Sequence, residues 1–206
     1  MREVIGTREA TKRETRRALI EAALSEFAAK GFDAPSLDAI CARAGYTRGA
    51  FYVHFSDRDE LVSAAMEHAI GALVDGVMAS DEAGGGGVVS TVERFVAFMG
   101  LDPDNGVPSL VDEEAPPFHK FLEACSRSEK VRGGMAQALE GVIDRLGKTV
   151  EAGQASGKLR GDIPPDGLAT GLLLMALGVF SMNEIGLKFD VRATQTAVLR
   201  LFGHEA

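Results

Sequence analysis

Cysteine is scarce: Cys41 and Cys125 are the only two in 206 residues. They lie far apart and outside any CxxC or Cys/His spacing, which argues against a disulfide scaffold or zinc module and suits reduced cytosolic thiols. Runs of β-branched or aromatic residues with period two are missing, so nothing calls for a sheet. No apolar h-region follows the charged residues 2–17, so no signal peptide is expected. The longest apolar stretch, Leu168 to Phe180, has 13 residues. A membrane span needs roughly 20, so the stretch reads as a buried helix of a soluble, cytoplasmic protein with no membrane partner. An excess of positive charge is lacking too: 22 Lys and Arg face 30 Asp and Glu, net −8.

The hydrophobic share of 46% is enough to fill a core, which excludes wholesale disorder. The length suits one domain of ordinary size, or a small module joined to a larger one. Glycine is plentiful but not periodic, which excludes collagen. The acidic balance at first argues against nucleic acid, but its distribution argues for it. Residues 2–17 hold Arg2, Arg8, Lys12, Arg13, Arg16 and Arg17 against three glutamates. Residues 1–60 are balanced, with ten basic and ten acidic side chains, so the whole deficit falls on 61–206. A basic end on an acidic body orients a molecule toward a polyanion, because the local field steers the approach.

Nearly every segment has helical character, and the fold class expected is all-α. Leu19, Ala22, Ala23 and Phe27 recur at helical spacing over about 11–30, and Gly31 closes that helix. Ser36 caps a short helix ending at Gly45, Thr47 caps another from Arg48 to about Phe55, and Asp57 caps a long one to about Ser80. Gly84–Gly87 is a flexible connection. A helix over about 88–99, a mostly loop segment over 100–117, and helices at about 118–127, 129–156, 166–186 and 191–203 complete the reading, with a break at 157–165.

Residues 36–55 give the sharpest signal: a short helix, a turn with Gly45, and a second short helix. That is the helix-turn-helix pattern, whose second helix enters the major groove of DNA. Ile40, Ala44, Ala50, Phe51 and Phe55 supply its apolar contacts. Arg48 suits a forked contact to guanine O6 and N7, and Gly49 lets backbone come close. Thr47, Tyr52 and His54 offer donors to phosphate, and Arg58 opens the next helix. For a lone His54 the ordinary reading is a solvated or capping side chain, and Tyr52 suits half-buried core as well as contact.

The strings Leu19-Ile-Glu-Ala-Ala-Leu-x-x-Phe27, Gly31-Phe32, Ser36-Leu-Asp-x-Ile40, Ala44-Gly-Tyr-Thr-Arg-Gly-Ala-Phe-Tyr-x-His-Phe55 and Asp57-Arg-Asp-Glu-Leu61 resemble the DNA-binding domain of the TetR family of bacterial transcriptional regulators. The resemblance covers residues 15–61. It implies a three-helix helix-turn-helix domain over 1–58 and a larger helical ligand-binding and dimerisation domain over 59–206. It also implies a homodimer on a double-stranded DNA operator and a small-molecule effector. By the same resemblance Ser36, Thr47, Tyr52, His54 and Arg58 meet the DNA backbone, while Arg48, Gly49 and Val53 face bases. Pro35 stands where the family usually has threonine, which removes one phosphate contact.

Other chemistry lacks an anchor. Gly141 to Gly147-Lys-Thr149 has five intervening residues where a phosphate-binding loop has four, and no strand precedes it. No Glu-x-x-His, Gly-x-Ser-x-Gly or His-Glu-x-x-His occurs, so catalytic residues, metal ligands and cofactors are not expected. Met66, Ile70, Phe95, Phe98, Met99, Phe121, Met135 and Leu139 suit an apolar ligand pocket, with His68 or His119 as polar handles; the same pattern also describes plain core. Leu168–Phe180 is apolar nearly all round, so Leu177 and Phe180 are candidates for a dimer interface, with an internal core helix as the alternative. The function expected is a repressor released from a palindromic operator by a small, largely apolar ligand. The alternative is a helical-bundle ligand-binding protein or enzyme without DNA-linked regulation.

Overall fold

A computed structural model describes residues 2–78 and 117–202. Among these residues there are eight helices and no strand: α1 Arg2–Lys30, α2 Leu37–Ala44, α3 Arg48–His54, α4 Arg58–Met78, α5 Phe118–Arg127, α6 Glu129–Ala155, α7 Pro165–Glu184 and α8 Val191–Phe202. The all-α expectation holds. The expected helix at 88–99, most of the loop at 100–117 and the candidates Phe95, Phe98 and Met99 lie outside the described residues. Helix α1 begins at Arg2 rather than near residue 11; its first turns lack the apolar periodicity from which a helix is read. The stretch Gly141–Thr149 lies inside α6, as its failed phosphate-loop spacing suggests.

The chain divides into two compact units. One comprises 2–69 with 117–136, and the other 70–78 with 137–202. This division differs from the boundary expected after residue 58, because the first turns of α4, all of α5 and the start of α6 fall in the first unit. Its core gathers Leu19, Ala23 and Phe27 of α1, Ile40 of α2, Phe51 of α3 with Phe55, and Leu61, Ala65 and Met66 of α4. Ala124 and Val131 join the same cluster from α5 and α6. The rings interlock at normal aromatic distances: Phe27–Phe32 and Phe32–Phe121 centroids are each 4.9 Å apart, and Phe51–Phe55 5.4 Å.

Polar links fix how these helices meet. Glu26 is a buried carboxylate on α1 that accepts from Lys30 Nζ at 2.7 Å and from Arg43 Nε of α2 at 2.7 Å. These bonds, Lys30 first and Arg43 second, hold its carboxyl below the usual range against the opposing effect of burial. Arg58 reaches back from α4 and donates to the carbonyls of Phe32 and, at 3.2 Å, Pro35, with its guanidinium 5.7 Å from the Phe27 ring centroid. At the start of α4, Asp57 Oδ1 accepts from Glu60 N–H at 2.9 Å, and Glu60 accepts from Ser56 N–H at 2.8 Å. Lys130 of α6 adds a 2.8 Å bond to Asp57, and Ser128 a 2.7 Å bond to Asp59. The Lys130 bond is the main reason the Asp57 carboxyl lies below its ordinary value.

In the second unit Val74, Val142, Leu146, Val150, Leu168, Ala169, Leu172, Ala176 and Val198 form the core. Gln154 Nε2 donates to the carbonyls of Arg160 and Ile163, each at 2.8 Å, folding the α6–α7 connection onto α6. Among the described residues α7 is the one helix long and apolar enough, by length and composition, to cross a membrane. The 13-residue apolar run lies within this helix, whose bounds agree with the helix expected at about 166–186.

Gly134 of α6 faces Ser63 of α4: a Cβ there would lie 2.8 Å from both Cβ and Oγ of Ser63. Its neighbour Gly133 would place a Cβ in open space. Alanine gains about 1 kcal/mol over glycine in a helix, whereas overpacking costs about 1–3 kcal/mol. Gly133→Ala is expected to raise the urea midpoint and Gly134→Ala to lower or cancel that gain. A second prediction concerns Glu26. Its folded-state pKa is depressed, so its contribution is present above the unfolded carboxylate value and is lost as pH falls through the folded one. Thermal melts from neutral to acidic pH are expected to show a shallower pH dependence, and lower stability at pH 7, for Glu26→Gln.

Candidate nucleic-acid interface

The site is built by α2, the turn after it, and α3. Ser36 Oγ accepts from Ala39 N–H at 3.1 Å and starts α2. Gly45 ends it in the left-handed region, φ 75°, with its N–H donating to Ala42 O at 3.2 Å and Tyr46 N–H to Cys41 O at 2.9 Å. Thr47 Oγ1 accepts from Ala50 N–H at 3.3 Å and starts α3. Both capping hydroxyls are exposed and keep their O–H free to donate outward.

Helix α3 is sharply two-sided. Phe51 is 0% exposed and Phe55, just past its end, 1%, while Tyr52 and Val53 are 58% and 66% exposed. Arg48 and Gly49 share the exposed character. A Cβ at Gly49 would meet only Thr47 Oγ1 at 3.6 Å, an ordinary contact, so the chain's own packing does not demand glycine there. Arg48 Nε lies 2.8 Å from Asp38 Oδ1 of α2.

His54 has its Nδ1 buried without a partner. Burial first, and the nearby cations Lys12 and Arg16 second, lower its pKa below the usual imidazole value. Arg16 lies over the Phe55 ring at 5.1 Å, which places exposed α1 cations beside the end of α3.

The structure thus gathers Ser36, Thr47, Arg48, Gly49, Tyr52, Val53 and His54 on two short helices and their caps. Arg58 makes hydrogen bonds inside the chain. Its guanidinium is engaged by the Phe32 and Pro35 carbonyls, a tie between α4 and the α1–α2 connection. Sequence reading also missed Asp38: ten residues from Arg48, it shares no helical register with it.

The described pocket candidates fall in both units. Met66 is fully buried in the first core, and Phe121 and Met135 pack against that core. Ile70 packs against the second core, and Leu139 is half-buried. His68 and His119 are exposed. At the other candidate surface, Phe180 packs against the second core and Leu177 is half-buried. The exposed apolar residues there are Leu174 on α7, 62% exposed, and Ile185 just beyond it, 72% exposed.

Comparison with known proteins gives this arrangement a family context. The sequence model of the bacterial regulatory proteins of the TetR family matches residues 19–65. A protein from Rhodococcus sp. described as a TetR-family transcriptional regulator superposes with a TM-score of 0.76 at 19% identity, over 93% of this chain and 100% of that one. The reduced form of NemR from E. coli gives a TM-score of 0.72 at 19% identity, over 93% and 98%. FadR from Bacillus subtilis, a transcriptional regulator solved with stearoyl-CoA, gives 0.64 at 18% identity, over 90% and 96%. Residues 19–65 therefore carry the sequence pattern of the TetR family of bacterial regulatory proteins, and the chain has the fold of that family's transcriptional regulators.

Proposed function

We propose that this chain is a DNA-binding transcriptional regulator that works as a homodimer, and that it is a repressor released from a palindromic operator by a small, largely apolar ligand. The observation that carries the DNA-binding reading is the two-sidedness of α3, with Phe51 buried and Tyr52 and Val53 held out in solvent. Arg48 has the donors for guanine, Val53 the apolar surface for a thymine methyl, and the bare Gly49 leaves room for close approach. Ser36, Thr47, Tyr52 and His54 serve the phosphates, joined by the exposed Lys12 and Arg16. Arg58 acts from inside, by holding α4 against the α1–α2 connection.

Two helices suit the chain to ligand control. Leu61, Ala65 and Met66 of α4 lie in the first core and its Val74 in the second; α6 likewise adds Val131 to the first and Val142 to the second. A ligand acting in the second unit would reach the first through them, and coupling of this kind is reciprocal. The acyl chain of the stearoyl-CoA bound by Bacillus subtilis FadR, a relative in fold, is apolar, which favours an effector with an apolar part. The exposed Leu174 and Ile185, with half-buried Leu177, favour a second copy of the chain as the cover for that side of α7.

The DNA reading is tested on a duplex selected by the wild-type protein from a random-sequence library, with its single-base variants. Arg48→Ala is expected to cost about 1–3 kcal/mol at one base pair per half-site and to remove discrimination there, with a smaller, salt-dependent loss on random duplex. Equal loss on every sequence in fluorescence anisotropy titrations would contradict base reading by Arg48. Dimerisation is tested by sedimentation. Leu174→Glu is expected to leave the helical circular dichroism intact and to give monomers at micromolar concentration, with operator affinity reduced; an unchanged dimer would place the interface elsewhere.

A further inference from the structure

The ion pair between Asp38 and Arg48 has a consequence for specificity. Arg48 Nε is 2.8 Å from Asp38 Oδ1, and both side chains are well exposed, at 58% and 69%. Asp38 stands in the first turn of α2, a helix anchored by buried Ile40 and Cys41, by the Ser36 cap and by the Arg43–Glu26 bond. Its carboxylate is therefore carried on a fixed element, whereas the Arg48 side chain by itself is long and rotatable. A carboxylate that pairs with the guanidinium at its Nε side leaves the two terminal nitrogens, the end suited to a bidentate contact with guanine O6 and N7.

We propose that Asp38 is a positioning residue for base reading: its charge, 2.8 Å from Arg48 Nε, draws the guanidinium to one side so that the terminal nitrogens are presented to a guanine. The proposal rests on Arg48 being a base-reading residue. Two effects of opposite sign follow from the chemistry. Holding the fork in advance reduces the freedom lost on docking to the right base, which sharpens discrimination. A carboxylate facing a polyanion weakens binding to every sequence alike. Asp38 thus favours discrimination over general affinity, a combination that a merely structural role in α2 does not produce.

The test uses the full-length protein and the duplex that the wild-type selects from a random library, with every single-base variant and a random duplex as controls. Asp38→Asn is expected to bind random duplex more tightly than the wild type. It is also expected to lose about fivefold in discrimination at the base pair read by Arg48, the upper end for an exposed ion pair. Asp38→Glu, which keeps the charge, is expected to restore part of that discrimination. In an Arg48→Ala background Asp38→Asn is expected to change discrimination no further. If Arg48→Ala leaves discrimination intact at every base pair, base reading by Arg48 fails and the proposal fails with it. If Arg48→Ala removes discrimination at one base pair but Asp38→Asn leaves that discrimination unchanged, the positioning role alone is overturned. Lower affinity of Asp38→Asn for all sequences, with a lowered melting temperature, would show a structural role instead and would also overturn it.

Discussion

Burial of Phe51 and Phe55 is the constraint on which the interface depends. A helix of seven residues has too few internal hydrogen bonds to persist by itself. Two fully buried phenylalanines, each worth about 1.5–3 kcal/mol on burial, hold it against α1, α2 and α4. They also orient it. Phe51 and Phe55 are four residues apart and face the core, so Gly49 and Val53 fall on the opposite side and Tyr52 on the flank. Arg48 lies on the same side as the rings and is exposed because it stands in the first turn, at the open end of the helix.

Polar groups then set the finer positions, and their worth depends on surroundings. Glu26, buried on α1, satisfies its charge with Lys30 and Arg43, and losing either partner would leave a charge in the core. Arg58 answers two loop carbonyls that α4 would otherwise leave without donors. Asp38 and Arg48 carry the same pair of charges as Glu26 and Arg43, but in solvent and without the hydrogen bond that Arg43 makes. Their pair adds little stability, and its consequence is where the guanidinium points.

The second unit shows the same two-sidedness on a longer helix. Leu168, Ala169, Leu172 and Ala176 of α7 enter the core, while Leu174 remains largely uncovered. Four-residue and seven-residue steps place 168, 172, 176 and 169 on neighbouring rows, and 174 falls on the opposite side. A leucine is as apolar on one row as on another.

Local order was determined by the sequence alone. The caps Ser36, Thr47 and Asp57, the left-handed Gly45, and the breaks near 31, 45 and 157 mark where helices start and stop, because these depend on residues a few positions apart. The buried Ile40, Phe51 and Phe55 were legible for the same reason, since helical spacing declares a common face. Only the tertiary structure decided the rest. Arg58 turns inward to carbonyls 26 and 23 residues earlier, Arg43 meets a glutamate 17 residues away, and Met66 joins the first core. The outward side of α7 was hidden in a run apolar on every face. These choices depend on which surfaces meet in space, and no short-range periodicity records them.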